Sequence, residues 1–259
     1  MTNEAVLAER AESVLRLTLN RPEARNALGR GLIAALHAAL DTAAHDNNIR
    51  VIVLAASGSA FCAGHDLKEM TSSRRDDDNG KAAFAAVFAH CSDLMQAIVR
   101  HPKPVIAEVQ GIATAAGCQL VASCDLAVAS SEARFATPGV NIGLFCSTPM
   151  VALSRNLSRK HAMEMLLTGD AVTAAQAYHL GLVNRVVAPE DLRSETMALA
   201  DQIAAKPAAT VKIGKEAFYR QLEMGLAEAY DYAARVMTEN MMLSEAEEGI
   251  CAFLNRRAL

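Results

Sequence analysis

Hydrophobic and polar residues follow two different periods along this chain. Leucines occupy alternate positions in Val14–Leu19, and residues 51–55 are uninterruptedly apolar, so both segments are predicted to be strands. Between them, leucines recur every four residues from position 28 to position 40, which is the spacing of one face of an amphipathic helix. Strands and helices continue to alternate up to about residue 190. This pattern predicts an α/β fold with mainly parallel strands.

The pattern changes near residue 190. From position 189 onwards nearly every segment has helical periodicity, and Met224, Met237, Met241 and Met242 cluster there. Methionine stripes at helical spacing occur more often in a core or a subunit interface than in a ligand groove. We therefore predict a core domain over residues 1–190 and a helical part over residues 191–259.

Composition narrows the class of protein. The chain has 259 residues, of which 52% are apolar and 21% charged, as expected for a globular protein with a sizeable core. The net charge is −4 and basic residues form no block, which argues against a nucleic acid as partner. No uninterrupted apolar run approaches the roughly 20 residues that cross a bilayer, so we expect no membrane association.

The spacing of the cysteines indicates a reducing cellular compartment. The six cysteines lack the spacing of a metal site, and Cys118 and Cys124 lie in apolar segments as buried free thiols do. The first residues are acidic and have no apolar core of the signal-peptide type. We therefore expect reduced thiols, no metal centre and a cytosolic location.

Two segments combine a predicted strand, small residues and a predicted helix. Residues 104–125 read PVIAEVQGIATAAGCQLVASCD, and residues 57–70 read SGSAFCAGHDLKEM. Small side chains let a ligand approach the backbone, and the first N–H groups of a helix have no partner within it. Two such junctions could provide an oxyanion hole, a pair of N–H donors that stabilise a negatively charged oxygen.

Together with four further segments, these two resemble the crotonase (enoyl-CoA hydratase/isomerase) superfamily. The other segments are residues 20–28 (NRPEARNAL), 135–143 (FATPGVNIG), 164–170 (EMLLTGD) and 174–187 (AAQAYHLGLVNRVV). They keep the order of the family over residues 14–257. The resemblance implies a spiral of ββα units followed by a helical part that assembles trimers or hexamers. It also implies a coenzyme A thioester as substrate, with no permanently bound cofactor.

The resemblance assigns the oxyanion donors to the N–H groups of His65 and Ala116. Only the backbone is needed for this role. The His65 ring could shuttle protons near neutral pH, or it could merely accompany its N–H group, and we favour the second interpretation. Ala116 stands where the family most often has glycine, and a positive φ at this alanine would be strained.

Two positions depart from the hydratase pattern. Hydratases of this family use two glutamates as general base and acid, but this chain has Gln119 and Gly139 at the matching positions. A glutamine does not exchange a proton at pH 7, and each such group is worth roughly 10²- to 10⁴-fold in rate. Cys146 is a candidate substitute if a helix N-terminus lowers its pKa, although a space-filling thiol is the more common case.

The resemblance also indicates contacts with coenzyme A. Arg25 and Lys68 match positions that contact the nucleotide end, and the backbone of Cys62, Ala63 and Gly64 matches the segment that meets adenine and pantetheine. Ordinary solvated charges are an equally good interpretation of the two basic residues.

Near the C-terminus, Phe253 and Arg256 could reach the coenzyme A of a neighbouring subunit. This expectation also comes from the family resemblance.

The resemblance leaves the reaction open. The segments Gly64-His65-Asp66 and Val140-Asn141 resemble those of a crotonase-type decarboxylase that acts on methylmalonyl-CoA. Such a reaction needs an enolate sink and no base that removes a carbon-bound proton. The segment around Cys146 resembles enoyl-CoA hydratase domain-containing proteins, for which a non-catalytic acyl-CoA-binding role is the alternative.

Overall fold

A computed structural model describes residues 4–257. Within these residues the chain forms ten strands and eleven α-helices, joined by short 3₁₀ turns. The strands are β1 (Val6–Ala11), β2 (Val14–Leu19), β3 (Val51–Ala56), β4 (Ala60–Cys62), β5 (Val105–Val109), β6 (Ile112–Thr114), β7 (Leu126–Ser130), β8 (Arg134–Ala136), β9 (Val172–Thr173) and β10 (Arg185–Val187). The helices are α1 (Arg30–His45), α2 (Leu67–Ser72), α3 (Lys81–Val99), α4 (Ala116–Ser123), α5 (Pro149–Asn156), α6 (Arg159–Thr168), α7 (Ala174–Leu180), α8 (Leu192–Ala204), α9 (Ala208–Gln221), α10 (Leu226–Met241) and α11 (Ser244–Arg257).

The strands form two sheets that the chain visits in turn. The larger sheet has the order β1-β2-β3-β5-β7-β10, and all its pairs are parallel except β1 with β2. The smaller sheet has the order β4-β6-β8-β9, in which β4, β6 and β8 are parallel. Each long strand of β3, β5 and β7 is followed by a short strand of the other sheet and then by a helix. The predicted spiral of ββα units is therefore confirmed.

Helices cover both faces of the larger sheet. Leucines of α1 and α3 pack with α4 on one face, and Leu192, Leu199 and Ala200 of α8 pack on the other. A strand that is buried on both faces has no polar side to display. This is why residues 51–55 read as a continuous apolar run.

Strand β1 is missing from the sequence prediction. It pairs with β2 along its full length through a tight turn at Glu12, where φ is +50°. Five of its six side chains are exposed, so the segment has no apolar alternation that could reveal a strand.

Helix α3 departs from the expectation that no segment of the chain is long and apolar enough to cross a membrane. Its 19 residues have a mean hydropathy of 1.5, and by length and composition alone it could cross a bilayer. Core helices of soluble proteins pass the same test, and α3 buries Val87, Cys91, Leu94 and Ile98 against the rest of the chain. α3 thus packs against the rest of the chain along one side, and 28% of its apolar window is buried.

The last three helices bury little within one chain. No apolar residue described in α9, α10 or α11 is buried. Their exposed large apolar residues include Phe218, Leu222, Leu226, Tyr230, Met237, Met241 and Met242. The methionines are therefore not part of this chain's own core. The division at residue 190 and the assembly through these helices stay predictions, although the last strand does end at Val187.

A buried ionic network fastens α9 to the core. The Lys215 ammonium, whose side chain is 7% exposed, lies 2.7 Å from Oδ2 of Asp125, and the Tyr219 hydroxyl donates to Oδ1 at 2.9 Å. The Val105 N–H donates to the same carboxylate at 2.7 Å, which ties the start of β5 into the network. Burial lowers the pKa of Lys215, and Asp125 opposes that shift. Burial and Asp125 raise the pKa of Tyr219.

We expect Asp125→Ala to lower the free energy of unfolding by about 3–5 kcal/mol, because it leaves the Lys215 ammonium buried without a counter-charge. Adding Lys215→Met should recover much of this loss, since no buried charge then remains. Lys212→Met is the matched control on the same helix, because Lys212 is exposed and its partner Glu216 lies 3.9 Å away. Urea denaturation measures all four proteins. Equal stability of Asp125→Ala and Lys212→Met would contradict the prediction.

Candidate active site

The ends of the parallel strands bring the two small-residue junctions together. β4 pairs with β6 so that Cys62 lies opposite Ala113. α2 begins just after β4 and is capped by the Asp66 carboxylate, which accepts the N–H groups of Lys68 and Glu69. α4 begins just after β6. The two helix starts therefore lie at one edge of the smaller sheet.

Glycines allow the two junctions to touch. Gly64 has a φ of +90°, and a Cβ at this residue would lie 3.0 Å from the Ala115 Cβ and 3.4 Å from the Ala116 nitrogen. A Cβ at Gly117 would overlap the backbone carbonyl of Cys62. No larger residue fits either position without moving backbone, so the sequence requires glycine at both.

Two backbone N–H groups at this contact have no partner among the described residues. The Leu28 N–H donates to the Gly64 carbonyl at 2.7 Å, and the Asp66 N–H donates to the Leu28 carbonyl at 3.3 Å. This parallel bridge uses the groups on either side of His65, so the His65 N–H points away from Leu28. Ala116 is the first residue of α4, and its N–H has no acceptor within the helix. Such a pair can donate to one oxygen atom.

Backbone strain falls on Ala115 and not on Ala116. Ala115 has φ +50° and ψ −118°, which is unusual for a residue with a side chain, whereas Ala116 has ordinary helical geometry. The Ala115 N–H donates to the Ala136 carbonyl at 2.9 Å, which holds the strained residue against β8. The sequence analysis considered strain at Ala116, but the positive φ lies at the preceding residue, Ala115. A strain of about 1–3 kcal/mol is typical where a backbone is held for function.

His65 is partly exposed, but its two ring nitrogens lie inside the protein. Both ring nitrogens are shielded from solvent, and neither has a partner among the described residues. The ring packs edge-on against Phe88 of α3, with 5.4 Å between centroids and 80° between planes. Burial lowers the pKa of His65, and the nearby Leu28 backbone opposes this shift only in part. The imidazole is therefore neutral near pH 7.

Gln119 lies one helical turn beyond Ala116. The residue is 4% exposed, and its Oε1 atom is buried with no hydrogen-bond partner in the part of the chain that the structure describes. The amide can accept or donate a hydrogen bond but cannot exchange a proton at neutral pH. An unpaired buried acceptor costs free energy unless a ligand or a water completes it.

The place of the second glutamate is filled by other atoms. Gly139 is buried in the 3₁₀ turn Pro138–Ile142. A Cβ there would lie 2.6 Å from the Leu144 carbonyl oxygen and 2.9 Å from the Cys146 Sγ atom. Burial raises the pKa of Cys146, so this residue is a protonated thiol rather than the thiolate that the sequence allowed. The 139–146 segment therefore has no room for a longer side chain at position 139.

The residues predicted to contact coenzyme A are distributed around the first junction. The Ala63 N–H donates to the Arg25 carbonyl at 3.0 Å, so the exposed Arg25 lies beside the segment from Cys62 to Gly64. Lys68 is exposed on the first turn of α2. Their contacts with coenzyme A stay predictions.

Two other predicted contacts lie on the last helix. Phe253 is half exposed on α11. The side chain of Arg256 falls outside the part of the chain that the structure describes.

Asn26 is a residue to which the sequence analysis assigned no role. It is fully buried with φ +52° and belongs to the NRPEARNAL segment. Its Oδ1 accepts the Arg21 N–H at 2.8 Å, and its Nδ2 donates to the Ser57 and Ala60 carbonyls, each at 2.9 Å. Asn26 thus fastens the segment before α1 to the turn between β3 and β4. The available signal was that asparagine tolerates a positive φ and bonds to nearby backbone.

The site can now be compared with known proteins. A family profile described as enoyl-CoA hydratase/isomerase matches residues 9–259. The chain belongs to the enoyl-CoA hydratase/isomerase family. Members of this family act on coenzyme A thioesters, as the resemblance implied.

Two solved structures of this family are very similar. An enoyl-CoA hydratase from Mycobacterium smegmatis is 55% identical with a TM-score of 0.93, over 97% of this chain and 96% of that one. The human enoyl-CoA hydratase domain-containing protein 3 is 44% identical with a TM-score of 0.92, over 97% and 98% of the two chains. The resemblance to enoyl-CoA hydratase domain-containing proteins is therefore confirmed.

The predicted cytosolic location is wrong. The mouse, Xenopus laevis and human relatives are named mitochondrial, and the human protein is 45% identical over 96% of this chain and 81% of the relative. Our argument rested mainly on cysteines without disulfide spacing. That property separates oxidising from reducing compartments, and it does not distinguish one reducing compartment from another.

We expect Gly117→Ala to destabilise this enoyl-CoA hydratase/isomerase family member by about 1–3 kcal/mol, because the new Cβ overlaps the backbone of β4. Gly214→Ala in α9 is the matched control. A Cβ at Gly214 meets nothing within 4 Å, so this change should stabilise the protein by about 0.4–1 kcal/mol. Urea denaturation gives both values, and a neutral Gly117→Ala would contradict the close contact between α4 and β4.

Proposed function

We propose that this protein binds an acyl-CoA thioester and stabilises its enolate form with the N–H groups of His65 and Ala116. The observation that supports the proposal is the contact between Gly64 and the start of α4, where a Cβ at Gly64 would lie 3.4 Å from the Ala116 nitrogen. Each donor of this kind is worth about 3–4 kcal/mol where negative charge develops on a carbonyl oxygen. Membership of a family that acts on coenzyme A thioesters supports the choice of substrate.

We further propose that classical hydration is slow in this protein. Gln119 cannot transfer a proton, and Gly139 carries no side chain. Similar proteins such as the one from Rhizobium meliloti are named probable enoyl-CoA hydratases. The two replaced positions argue against transferring that reaction to this chain.

Decarboxylation of a methylmalonyl-type acyl-CoA is the second candidate. Loss of carbon dioxide generates the enolate directly, and it requires the oxyanion donors but no carboxylate base. The buried amide of Gln119 and the lowered pKa of His65 favour it, because a substrate carboxylate is destabilised where it loses its water. A non-catalytic acyl-CoA-binding protein is the remaining alternative, and it predicts binding without turnover of any thioester.

We propose that three or six copies assemble through α9, α10 and α11. α10 exposes Leu226 and Tyr230 at 77% and 71% of their surface, and Met242 directly after α10 is 81% exposed. Contiguous apolar surface of this kind is typical of subunit contacts.

Light scattering at micromolar concentration should therefore give the mass of a trimer or a hexamer of this 27.5 kDa chain. Replacing Tyr230 and Met242 with glutamate should shift the mass toward one chain, because burying a carboxylate at a contact is costly. A native protein that remains monomeric at these concentrations would disprove the assembly.

We expect calorimetry to detect binding of crotonyl-CoA by the native protein while its hydration stays near the uncatalysed rate. Gln119→Glu should raise the hydration rate at least tenfold, because it restores one of two proton carriers. Gln119→Ala is the control and should give no gain. Position 139 is left unchanged, since the Leu144 carbonyl and the Cys146 thiol occupy the space of a new side chain.

Rapid hydration of crotonyl-CoA by the native protein that persists in Gln119→Ala would contradict the proposal that hydration is slow. Absence of binding to any acyl-CoA would contradict the proposed function itself.

A further inference from the structure

A cleft lined by basic residues lies where β3 and β5 begin. Its volume is about 220 Å³, and its walls come from the residues before these strands, the end of α1, the end of α8 and the start of α9. The basic residues that line it are Arg50, Lys103, Lys206 and Lys212, and none of its described lining residues is acidic. The chain as a whole has a net charge of −4. Four basic residues without an acid at one cleft of an acidic chain therefore need an explanation.

Helix capping explains part of this arrangement. The Lys103 ammonium donates to the Ala43 and Asp46 carbonyl oxygens at the end of α1. The Arg50 guanidinium donates to the Lys206 carbonyl oxygen just after α8. Cations at the C-terminal end of a helix satisfy carbonyl groups that lack a partner there, but a carbonyl carries no full charge. Burial lowers the pKa of Lys103, and the charge of Asp46 opposes that shift only in part.

Carboxylates do not balance the charges of the cleft. No salt bridge within residues 4–257 includes Arg50, Lys103 or Lys206. Lys212 has one, to Glu216 at 3.9 Å, and both of these side chains are about half exposed. An exposed pair of this kind contributes little. The cleft therefore gathers positive charge that has no direct counter-charge in the described part of the chain.

A neighbouring cleft shows where this excess of positive charge ends. It has a volume of about 480 Å³ and shares Arg50 and Lys206, but Glu245 and Glu248 of α11 also line it. Carboxylates repel an anion at short range, so the smaller cleft is the one suited to negative charge.

We propose that the smaller cleft binds an inorganic anion made of one or two phosphate groups. Arginine presents a planar fork of N–H donors that matches phosphate oxygens, and lysine adds compact positive charge. The volume of about 220 Å³ is below the roughly 300–1,000 Å³ of sites for drug-sized ligands, which favours an inorganic anion over a larger phosphorylated molecule.

A bound anion would join the two parts of the chain that the sequence analysis separates at residue 190. Residues 47–50 and 102–104 precede strands of the core, whereas residues 203–212 belong to α8, α9 and their connection. The anion fastens the start of α9 to the core, and the ion pair of Lys215 with Asp125 fastens the middle of the same helix. This inference does not depend on the thioester chemistry proposed for the candidate active site.

Calorimetry with inorganic diphosphate tests the cleft directly. We expect the native protein to bind one diphosphate per chain. The double variant Lys206→Gln with Lys212→Gln should lose at least about tenfold in affinity, because it removes two charge-assisted contacts. Both lysines are exposed, so the variant should fold normally. Arg159→Gln with Lys160→Gln is the matched control, since it removes two exposed charges of α6 outside the cleft.

Two further measurements locate the bound anion. Diphosphate should raise the urea midpoint of the native protein but not that of the double lysine variant, because a ligand that binds only the folded state stabilises it. Hydrogen exchange should slow at residues 102–104 and 208–212 when diphosphate is added. Saturating coenzyme A should leave the affinity for diphosphate unchanged, and ADP, which carries the same group on a larger molecule, should bind more weakly.

Four results would overturn the inference. They are no binding of diphosphate by the native protein, full affinity in the double lysine variant, an equal loss of affinity in the α6 control, and displacement of diphosphate by coenzyme A, which would assign the anion to the thioester site. Tighter binding of ADP than of diphosphate would overturn the choice of an inorganic anion.

Discussion

The contact between the first turn of α4 and the end of β4 is the constraint on which the site depends. It exists because Gly117 and Gly64 leave no Cβ between the two backbones. The other features of the site adjoin this contact: the Leu28 bridge that directs the His65 N–H, the first helical N–H of Ala116 and the positive φ of Ala115. A pair of backbone donors can be held rigidly in this way because it belongs to the sheet and the helix themselves, and not to mobile side chains.

Much of the fold could be predicted from periodicity. The buried strands β2, β3 and β5 and the amphipathic helix α1 have the repeats that burial on one or two faces produces. β1 could not be found, because backbone pairing alone holds it and its side chains face solvent. The spiral of ββα units was predicted from the family resemblance, because local periodicity does not determine the order of strands in a sheet.

The candidate site could be predicted only in part. The two small-residue junctions are visible in the sequence, and they do adjoin in space. The state of the side chains around them could not be foreseen, because it depends on burial by distant segments. Cys146 illustrates this point, since burial raises its pKa while the backbone of Gly139 opposes that shift. The edge-on contact of the His65 ring with Phe88 of α3 likewise joins segments that are distant in the sequence.

The filled space beside Gly139 also has an evolutionary consequence. A chain of this kind cannot acquire a carboxylate at position 139 by one substitution, because the Leu144 carbonyl and the Cys146 thiol lie 2.6 and 2.9 Å from where the first carbon would go. The loop must first be remodelled, and that change brings no catalytic benefit until the carboxylate appears. The two changes are therefore epistatic, and a lineage with this loop is more readily selected for chemistry that needs no carboxylate at position 139.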